Sequence, residues 1–371
     1  MERHGIEALL MHSERRPYHR EAAAEARARG IDVIVTELGY IRPDWMTIER
    51  DGNSVDSLFP ADPDAIRAIA AKVPAPEPGT FYPRERLRET FDDLANNLPN
   101  VFLWFLTPHY RRHGLYHPFV AYRRFLWREA QAGRRNRAAR AVRDRLAPPF
   151  FLFVMQTDTD FQIRANSQFE NMREALAFTF ASFATHAPAD LRLVVRKHPG
   201  DLGPVHWAAE VPRLARAAGI AERVAFTDGL VLRDWLADAG GVITVNSTAG
   251  LDAIVEGVAT HALSPAIYDV PGLTFQGSLD RFWTEAEPPD PSLVVAFLRA
   301  LAGSIQVRGS IFSRAGTRAA ADAMAERILS GTVGVPGATC GPPPRHARAR
   351  ALGIRQSMPC RFGCGDGGLS C

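Results

Sequence analysis

The residues best suited to chemistry follow an apolar run in the middle of the chain. Residues 150–155 are all apolar. Four polar side chains come directly after this run: Gln156, Asp158, Asp160 and Gln162. A short apolar run predicts a strand covered on both faces, and ligands bind at the carboxyl ends of strands in an open parallel sheet. We therefore expect these side chains to face a crevice; the alternative is a solvated loop in which the aspartates serve turns.

Two further polar groups follow predicted strands in the same half of the chain. One follows the strand at 191–195, and the other separates the strand at 241–245 from a helix at 248–256. Hydroxyl or amide side chains can cap such a helix, and its first free N–H groups attract a phosphate. The predicted nucleotide-binding residues are Lys197, His198, Asn246, Ser247 and Thr248. The alternative is a helix cap without a ligand.

A third polar cluster lies near the N-terminus. The predicted strand at 31–35 leads into Glu37 and Arg42. A carboxylate and an arginine at the carboxyl end of a strand suit a site for an anionic sugar. The alternative is a turn in which Arg42 pairs locally with Asp44.

Two other groups of residues imitate metal ligands. His109, His113 and His117 repeat at helical metal-ligand spacing, but nearby prolines and a glycine argue against one continuous helix. We therefore predict that these histidines belong to a linker. The cysteines are Cys340, Cys360, Cys364 and Cys371. With His346 they could hold zinc, but a second Cys-x-x-Cys pair is missing, and we predict no metal and no cofactor.

Composition places the chain among soluble globular proteins. Its 371 residues, 46% hydrophobic and 23% charged, fit two domains of ordinary size. Neither a membrane-span-length apolar run nor a signal-peptide h-region is present in the sequence, so we expect a cytoplasmic protein. The net charge of +3 comes from arginines in residues 331–371, and the near-neutral remainder does not predict nucleic-acid binding.

Those last residues, 331–371, are rich in glycine and proline and poor in apolar side chains. Such a segment cannot bury enough surface to offset the entropy lost on ordering. We predict a disordered extension, and we expect truncation after Ser330 to leave thermal stability unchanged.

Predicted strands and helices alternate along the chain. The first part contains a strand at 6–12, a helix at 16–29, the strand at 31–35, and helices at 61–72, 83–97 and 119–145. The second part contains strands at 150–155, 191–195, 224–226 and 241–245, and helices at 168–185, 231–238 and 248–256. Repeated β-α units with buried strands predict doubly wound parallel sheets.

Several segments together resemble the capsule polysaccharide biosynthesis family, whose members are β-Kdo (3-deoxy-manno-octulosonic acid) transferases of the KpsS and LipB type. The matching segments are Arg16-Pro-Tyr-His19, Glu37-Leu-Gly-Tyr-Ile-Arg-Pro-Asp-Trp45, 156–167, 182–188, 197–199, 246–250, 266–274, 279–283 and 306–310. The resemblance covers roughly residues 8–313. Other members have a further strand and helix before this point, so the resemblance implies an incomplete first domain.

The resemblance implies a GT-B-like α/β fold, in which two Rossmann-like doubly wound domains face one cleft. We divide the chain into an N-terminal acceptor-side domain with a helical linker (1–147), a C-terminal nucleotide-sugar-binding domain (148–330) and the disordered tail (331–371). The resemblance also implies a role in capsule assembly, with CMP-Kdo as the donor. The implied acceptor is a phosphatidylglycerol-type lipid at the inner face of the membrane, and other capsule assembly and export proteins are implied partners.

Roles for individual residues follow from the same resemblance. Asp160 matches the family pattern and is the candidate nucleophile for transfer with retention, while Glu37 is the candidate acid/base or acceptor-positioning group. The candidate substrate-binding residues are Arg42, Gln156 and Gln162, with Arg42 assigned to the Kdo carboxylate. We reject a metal at Asp158-x-Asp160, because a donor with one phosphate has less need of a divalent cation.

The chain departs from the family pattern at two informative positions. Leu38 replaces an acidic residue that commonly follows Glu37, and Leu202 replaces an arginine whose loss could weaken phosphate or acceptor contacts. Two alternatives therefore remain: a catalytically impaired scaffold of the capsule export complex, and a transferase that uses another CMP-sugar.

Overall fold

The computed structural model describes residues 1, 4–106, 109–110, 117–158, 160–334 and 342–354. The strands in these ranges are β1 (Ala8–His12), β2 (Asp32–Leu38), β3 (Trp45–Arg50), β4 (Phe150–Val154), β5 (Leu193–Arg196), β6 (Val224–Thr227), β7 (Ala239–Thr244), β8 (Thr260–Ala262) and β9 (Gln306–Arg308). The longer helices are α1 (Pro17–Ala28), α2 (Pro63–Lys72), α3 (Arg86–Phe102), α4 (Pro118–Ala130), α5 (Ala132–Arg143), α6 (Phe161–Asn166), α7 (Met172–His186) and α8 (Trp207–Ala217). They are followed by α9 (Leu232–Leu236), α10 (Ala249–Val255), α11 (Leu279–Glu285), α12 (Pro291–Ser304), α13 (Arg314–Leu329) and α14 (His346–Ala351).

The second unit is built on a five-stranded parallel sheet in the order β6-β5-β4-β7-β8. Every residue of the central strand β4 is buried. Phe151 and Phe153 pack into the core that includes α7 and α8, whereas Leu152 and Val154 pack on the other face with Trp235. Because successive side chains of a strand point to opposite faces, this continuous apolar run covers both faces at once.

The first unit is built on a four-stranded sheet in the order β1-β2-β3-β9. Strands β1 and β2 are parallel, as the predicted β-α-β unit requires, but β3 and β9 add antiparallel neighbours. The reason is the short connection from β2 to β3, which is too short for a crossover helix. A side chain at Gly39 in that connection would meet the Trp45 carbonyl oxygen at 2.4 Å, so the turn requires glycine. The predicted α/β class is confirmed, with a parallel second sheet, but the first sheet is mixed rather than doubly wound.

The end of the predicted second domain belongs structurally to the first sheet. Strand β9 pairs with β3, and α13 packs on the same sheet through Ala320 and Met324. Arg308 of β9 donates to the buried carboxylate of Asp44 at 2.9 Å and stacks over the Trp45 ring at 4.3 Å. The structure thus differs from the predicted second domain of 148–330, because β9 and α13 lie within those bounds but belong to the first sheet.

Residues 342–354 are folded against the body of the protein, so the prediction of a disordered tail is wrong for this segment. Arg345 and His346 are buried, and Ala349 and Ile354 pack against Val55. The prediction from composition is wrong here because the segment is held mainly by hydrogen bonds of polar side chains. Residues 335–341 and 355–371, with all four cysteines, lie outside the described residues, and so does His113.

The predicted long helix at 119–145 is two helices, α4 and α5, which meet at Gln131. Within the described ranges, the structure contains no helix long and apolar enough to cross a membrane.

Candidate active site

A cavity of about 380 Å³ lies between the two units, at the carboxyl ends of β1, β2, β4, β5 and β7. The site residues predicted from the sequence that line this cavity are Glu37, Arg42, Gln156, Asp160, Gln162, His198, Asn246, Ser247 and Thr248. Its further lining residues are Ser13, Arg15, Arg16, Leu38, Tyr40, Asn53, Ser54, Ala266, Ile267 and Tyr268. The structure therefore brings together the predicted site residues, with the exception of Lys197.

Two serines of the cavity wall hold strained backbone conformations. Ser13 has φ of 62° and Ser54 has φ of 56°, in the left-handed region that side chains other than glycine rarely adopt. The ring Nδ1 of His19 lies 2.8 Å from the Ser13 carbonyl oxygen, and the Tyr40 hydroxyl accepts the Ser54 N–H at 3.1 Å. Strain of this kind persists where surrounding contacts enforce it and is concentrated at functional sites.

Glu37 lies at the end of β2, where its side chain is one-third exposed. Its Oε1 accepts the Leu38 N–H at 3.1 Å and lies 3.5 Å from Nε2 of His12. Burial lowers the pKa of His12 below its ordinary value, and the Glu37 carboxylate opposes that shift. The pair can accept or return one proton at the cavity wall, which is the chemistry of a general acid/base.

Arg42 contributes positive charge on the side of the first unit. Desolvation by the surrounding protein lowers its pKa, and the neighbouring Asp252 and Glu37 carboxylates oppose this. The alternative that Arg42 pairs with Asp44 is wrong, because Asp44 is fully buried beneath Arg308 and accepts the Phe81 N–H at 2.6 Å. Arg42 is therefore free of that local pairing and lines the cavity.

Asp160 is the N-cap of α6. Its Oδ1 accepts the Gln162 N–H at 2.8 Å, while Oδ2 lies 3.5 Å from Nε2 of Gln156. One carboxylate oxygen is thus fixed by the helix, and among the described residues the other has only a long contact. Asp158 turns elsewhere and accepts the Met172 N–H at 2.9 Å. The two aspartates of the Asp-x-Asp pattern therefore do not form one ligand set.

Gln156 and Asn246 form a buried amide pair beneath the cavity. Gln156 Nε2 donates to Asn246 Oδ1 at 3.0 Å, and the Asn246 N–H donates to Gln156 Oε1 at 3.1 Å. Asn246 Nδ2 donates onward to the carbonyls of Gln162 and Asn166, at 3.0 and 3.1 Å. Both hydrogen-bonding ends of the Asn246 side chain are occupied internally, so this residue joins β7 to α6 rather than offering its side chain to a nucleotide.

His198 presents a neutral imidazole to the cavity. Its Nδ1 accepts the Gly200 N–H at 3.0 Å, which places the proton of the neutral ring on Nε2. Burial lowers the pKa of His198, while Asp160 and Asp201 act in the opposite direction. The ring can therefore donate one hydrogen bond from Nε2. Lys197 instead directs Nζ to Asp201, at 3.7 Å, and is not among the described residues that line the cavity.

Tyr268 is a cavity residue that the sequence reasoning did not select. Its hydroxyl donates to the Ser247 carbonyl at 2.5 Å, while Ser247 Oγ accepts the Ala249 N–H at 3.2 Å. A side chain at Gly250 would meet the Tyr268 hydroxyl at 2.3 Å. The glycine of Asn246-Ser-Thr-Ala-Gly250 is thus required by the packing of this tyrosine.

Gln162 links the two units directly across the cavity. Its Oε1 accepts a hydrogen bond from Ser54 Oγ at 2.7 Å and another from Asn166 Nδ2 at 2.9 Å. The predicted substrate-binding role of Gln162 stays a prediction. The structure shows that it also fixes the position of the strained Ser54 relative to α6.

The model of one protein family, described as capsule polysaccharide biosynthesis protein, matches residues 7–312. The chain belongs to this family. Among its relatives, the capsule polysaccharide export protein KpsS of Escherichia coli is 30% identical over 307 residues, which cover 81% of this chain and 78% of KpsS. The capsule polysaccharide modification protein LipB of Neisseria meningitidis serogroup A is 28% identical over 326 residues, which cover 84% of this chain and 76% of LipB. The family resemblance predicted from the sequence is confirmed.

A comparison with solved structures finds similarity to the KpsC beta Kdo 2,7 transferase of Thermosulfurimonas dismutans. The TM-score is 0.42 at 14% identity, and the match covers 89% of this chain and 87% of the other. The beta Kdo 2,4 transferase of the same KpsC matches with a TM-score of 0.41 at 13% identity, over 82% and 81% of the two chains.

Proposed function

We propose that this protein is a retaining β-Kdo transferase that moves Kdo from CMP-Kdo to a phosphatidylglycerol-type lipid acceptor during capsule assembly. The observation that carries the proposal is that one cavity unites Glu37 and Arg42 of the first unit with Asp160 and His198 of the second. Membership of the capsule polysaccharide biosynthesis family supports the pathway, and the similarity to KpsS and LipB supports a role in capsule assembly or export.

The first chemical step would use the less engaged oxygen of Asp160. Oδ2 attacks the anomeric carbon of Kdo, the bond from that carbon to the CMP phosphate oxygen breaks, and CMP leaves with the electron pair. The Nε2–H of His198 is suited to a hydrogen bond to the departing phosphate. Because Oδ1 stays bonded to the Gln162 N–H, the attacking carboxylate keeps its orientation.

The second step would release the sugar to the acceptor. The acceptor hydroxyl loses its proton to Glu37 and attacks the anomeric carbon, and the ester bond to Asp160 breaks and restores the carboxylate. Two inversions at the same carbon give net retention, as in retaining glycosidases. We assign Arg42 to the carboxylate of Kdo. We propose that the reaction takes place at the cytoplasmic face of the membrane, where a lipid acceptor is available.

The decisive experiment compares Asp160→Asn with Asp158→Asn in the presence of CMP-Kdo and a fluorescent lysophosphatidylglycerol. Asparagine caps a helix about as well as aspartate, so both variants should fold and bind CMP normally. We expect Asp160→Asn to lose transfer by at least about 10²–10⁴-fold. We expect Asp158→Asn to retain activity, because its carboxylate bonds a helix N–H away from the cavity.

Mass spectrometry of the intact protein with CMP-Kdo and no acceptor adds a direct reading of the intermediate. Wild type should carry one Kdo adduct, and Asp160→Asn should carry none. An active Asp160→Asn variant would show that the nucleophile is misassigned. Wild type that binds CMP without any transfer would favour the scaffold alternative, and transfer from a different CMP-sugar would correct the donor.

A further inference from the structure

An exposed apolar surface lies at the end of α3 and on α4. It consists of residues 102–106 with Phe119, Leu126 and Trp127, and we call it the aromatic surface. Trp104, Leu106, Leu126 and Trp127 are each 65–67% exposed. Helix α3, which leads into this surface, contains no buried residue along its described length.

The parts of the aromatic surface are held together as one face. The rings of Phe102 and Phe119 meet edge to face with centroids 6.1 Å apart. The Tyr122 hydroxyl of α4 donates to Asp93 of α3 at 2.6 Å. Since Phe119 and Leu126 are seven positions apart on α4, their side chains share one side of the helix.

Cationic side chains border this apolar face. Arg123 of α4 is exposed, and so are Arg134, Arg137 and Arg140 of the adjoining helix α5. Helix α5 contains no acidic residue. Two of its other arginines anchor it to the second unit, because Arg135 and Arg143 pair with aspartates there. Helices α4 and α5 therefore combine exposed tryptophan and phenylalanine with four exposed arginines against one exposed acid, Glu129.

Two contacts connect residues near the aromatic surface in the sequence to the two walls of the cavity. Arg124 of α4 donates to the Leu202 carbonyl at 2.8 Å, in the loop that follows His198. On the other side, Tyr110 stacks on Tyr18 of α1 with ring centroids 5.8 Å apart, and Arg16 at the start of that helix lines the cavity. A partner bound to the aromatic surface would therefore lie near the cavity.

We propose that the aromatic surface docks on a bilayer containing anionic lipid and seats the cavity at the lipid headgroups. Tryptophan and phenylalanine favour the boundary between headgroups and acyl chains, which requires no matching surface shape. The bordering arginines complement an anionic headgroup layer. The part of this inference that concerns acceptor delivery rests on the proposed function, whereas docking itself is independent of it.

The test uses the full chain and vesicles of phosphatidylcholine alone or mixed with phosphatidylglycerol. Trp104 and Trp127 are exposed, whereas Trp45, Trp207, Trp235 and Trp283 are 9% exposed or less. Tryptophan emission should therefore shift to the blue on mixing with anionic vesicles and be quenched by brominated lipid. In a flotation assay, Trp104→Ser/Trp127→Ser should bind anionic vesicles at least about tenfold more weakly than wild type.

A matched control is Val295→Ser/Leu329→Ser, which removes two apolar side chains that are 67% and 88% exposed on α12 and α13. This variant should bind vesicles as wild type does, and both variants should retain the wild-type melting temperature. The proposal is overturned if wild type binds neither kind of vesicle, binds both equally, or binds undiminished in the tryptophan variant. A concentration-dependent dimer that the tryptophan variant abolishes, without vesicle binding, would assign the surface to self-association instead.

The same variants separate docking from catalysis. If wild type transfers no Kdo but the tryptophan variant still loses vesicle binding, docking stands and the proposed function fails. If the tryptophan variant still transfers Kdo to a soluble short-chain acceptor but transfers less to vesicle lipid, both the docking proposal and the proposed function are supported.

Discussion

One arginine in the segment 342–354 joins the two units behind the cavity, and we expect its removal to destabilise the protein. Arg345 is 3% exposed. Its guanidinium donates to the carbonyl oxygens of Phe59 at 2.7 Å, Pro60 at 3.3 Å, Ala266 at 2.8 Å and Ile267 at 2.5 Å. The first two carbonyls belong to the first unit, and the last two belong to the loop that lines the cavity. The variant Arg345→Met keeps an unbranched apolar stem but leaves these oxygens without their donor.

The size of the effect follows from the opposing contributions of this buried cation. Each buried carbonyl that loses its partner lowers the free energy of unfolding by about 1–3 kcal/mol. The variant in turn avoids the unfavourable desolvation of the buried guanidinium. Burial indeed lowers the pKa of Arg345, with Tyr40, Asp269 and Glu49 opposing the shift. We therefore expect a net loss of about 3–5 kcal/mol in the free energy of unfolding, or roughly 5 °C in melting temperature.

Thermal melts and urea unfolding of Arg345→Met measure this loss, and Arg350→Met on the exposed side of α14 is the matched control. The control should melt within about 1–2 °C of wild type. CMP affinity should fall in Arg345→Met alone, because its partners Ala266 and Ile267 line the cavity. If Arg345→Met and truncation after Gly334 both melt like wild type, residues 342–354 contribute nothing and the original expectation of an inert tail would be right.

Two further predictions concern the buried acid Glu49 and the glycine beneath Tyr268. Burial raises the pKa of Glu49 to about 8, so the stability associated with its neutral form is full below the unfolded pKa of 4.5 and is lost as the pH rises through 8. The melting temperature of Glu49→Gln should therefore rise relative to that of wild type between pH 5 and pH 8. A difference in melting temperature that stays constant over this range would contradict this. Gly250→Ala would place a methyl group 2.3 Å from the Tyr268 hydroxyl. Calorimetry should therefore show weaker CMP binding, and thermal melts should show a lower melting temperature. Gly133→Ala, with no described atom within 4 Å of the added carbon, should instead gain about 0.5–1 kcal/mol, and similar losses in both variants would refute the packing argument.

The sequence was informative where a local rule fixes the position of a side chain. The apolar run of β4 predicts a central strand, and Asp160 and Gln156 then lie at its carboxyl end because parallel sheets place their crevice there. The same rule applied to β1 would have selected Ser13, which follows that strand directly. It does not fix side-chain direction, and this is why Lys197, one residue after β5, turns to Asp201 instead of the cavity.

The sequence was uninformative where contacts connect distant segments through polar groups. Arg345 meets Phe59 and Ala266, and neither pairing leaves a periodic or compositional signal. His346 similarly places Nε2 at 2.8 Å from the buried carboxylate of Asp56, which also accepts from Arg15 at 2.6 Å. A segment with few apolar residues can therefore be ordered when its side chains form hydrogen bonds with buried oxygens.

The two roles assigned to Asp160 are compatible because they use different oxygens. A helix cap requires one acceptor, and Oδ1 supplies it to the Gln162 N–H at 2.8 Å. Gln162 is in turn held by Ser54 from the opposite unit, at 2.7 Å. The orientation of the Asp160 carboxylate therefore depends on the relative position of both units. Its Oδ2 makes only the long 3.5 Å contact with Gln156 among the described residues. In the proposed mechanism, a nucleophile fixed in this way would reach a sugar carbon with little reorganisation when the two halves of the cavity are together.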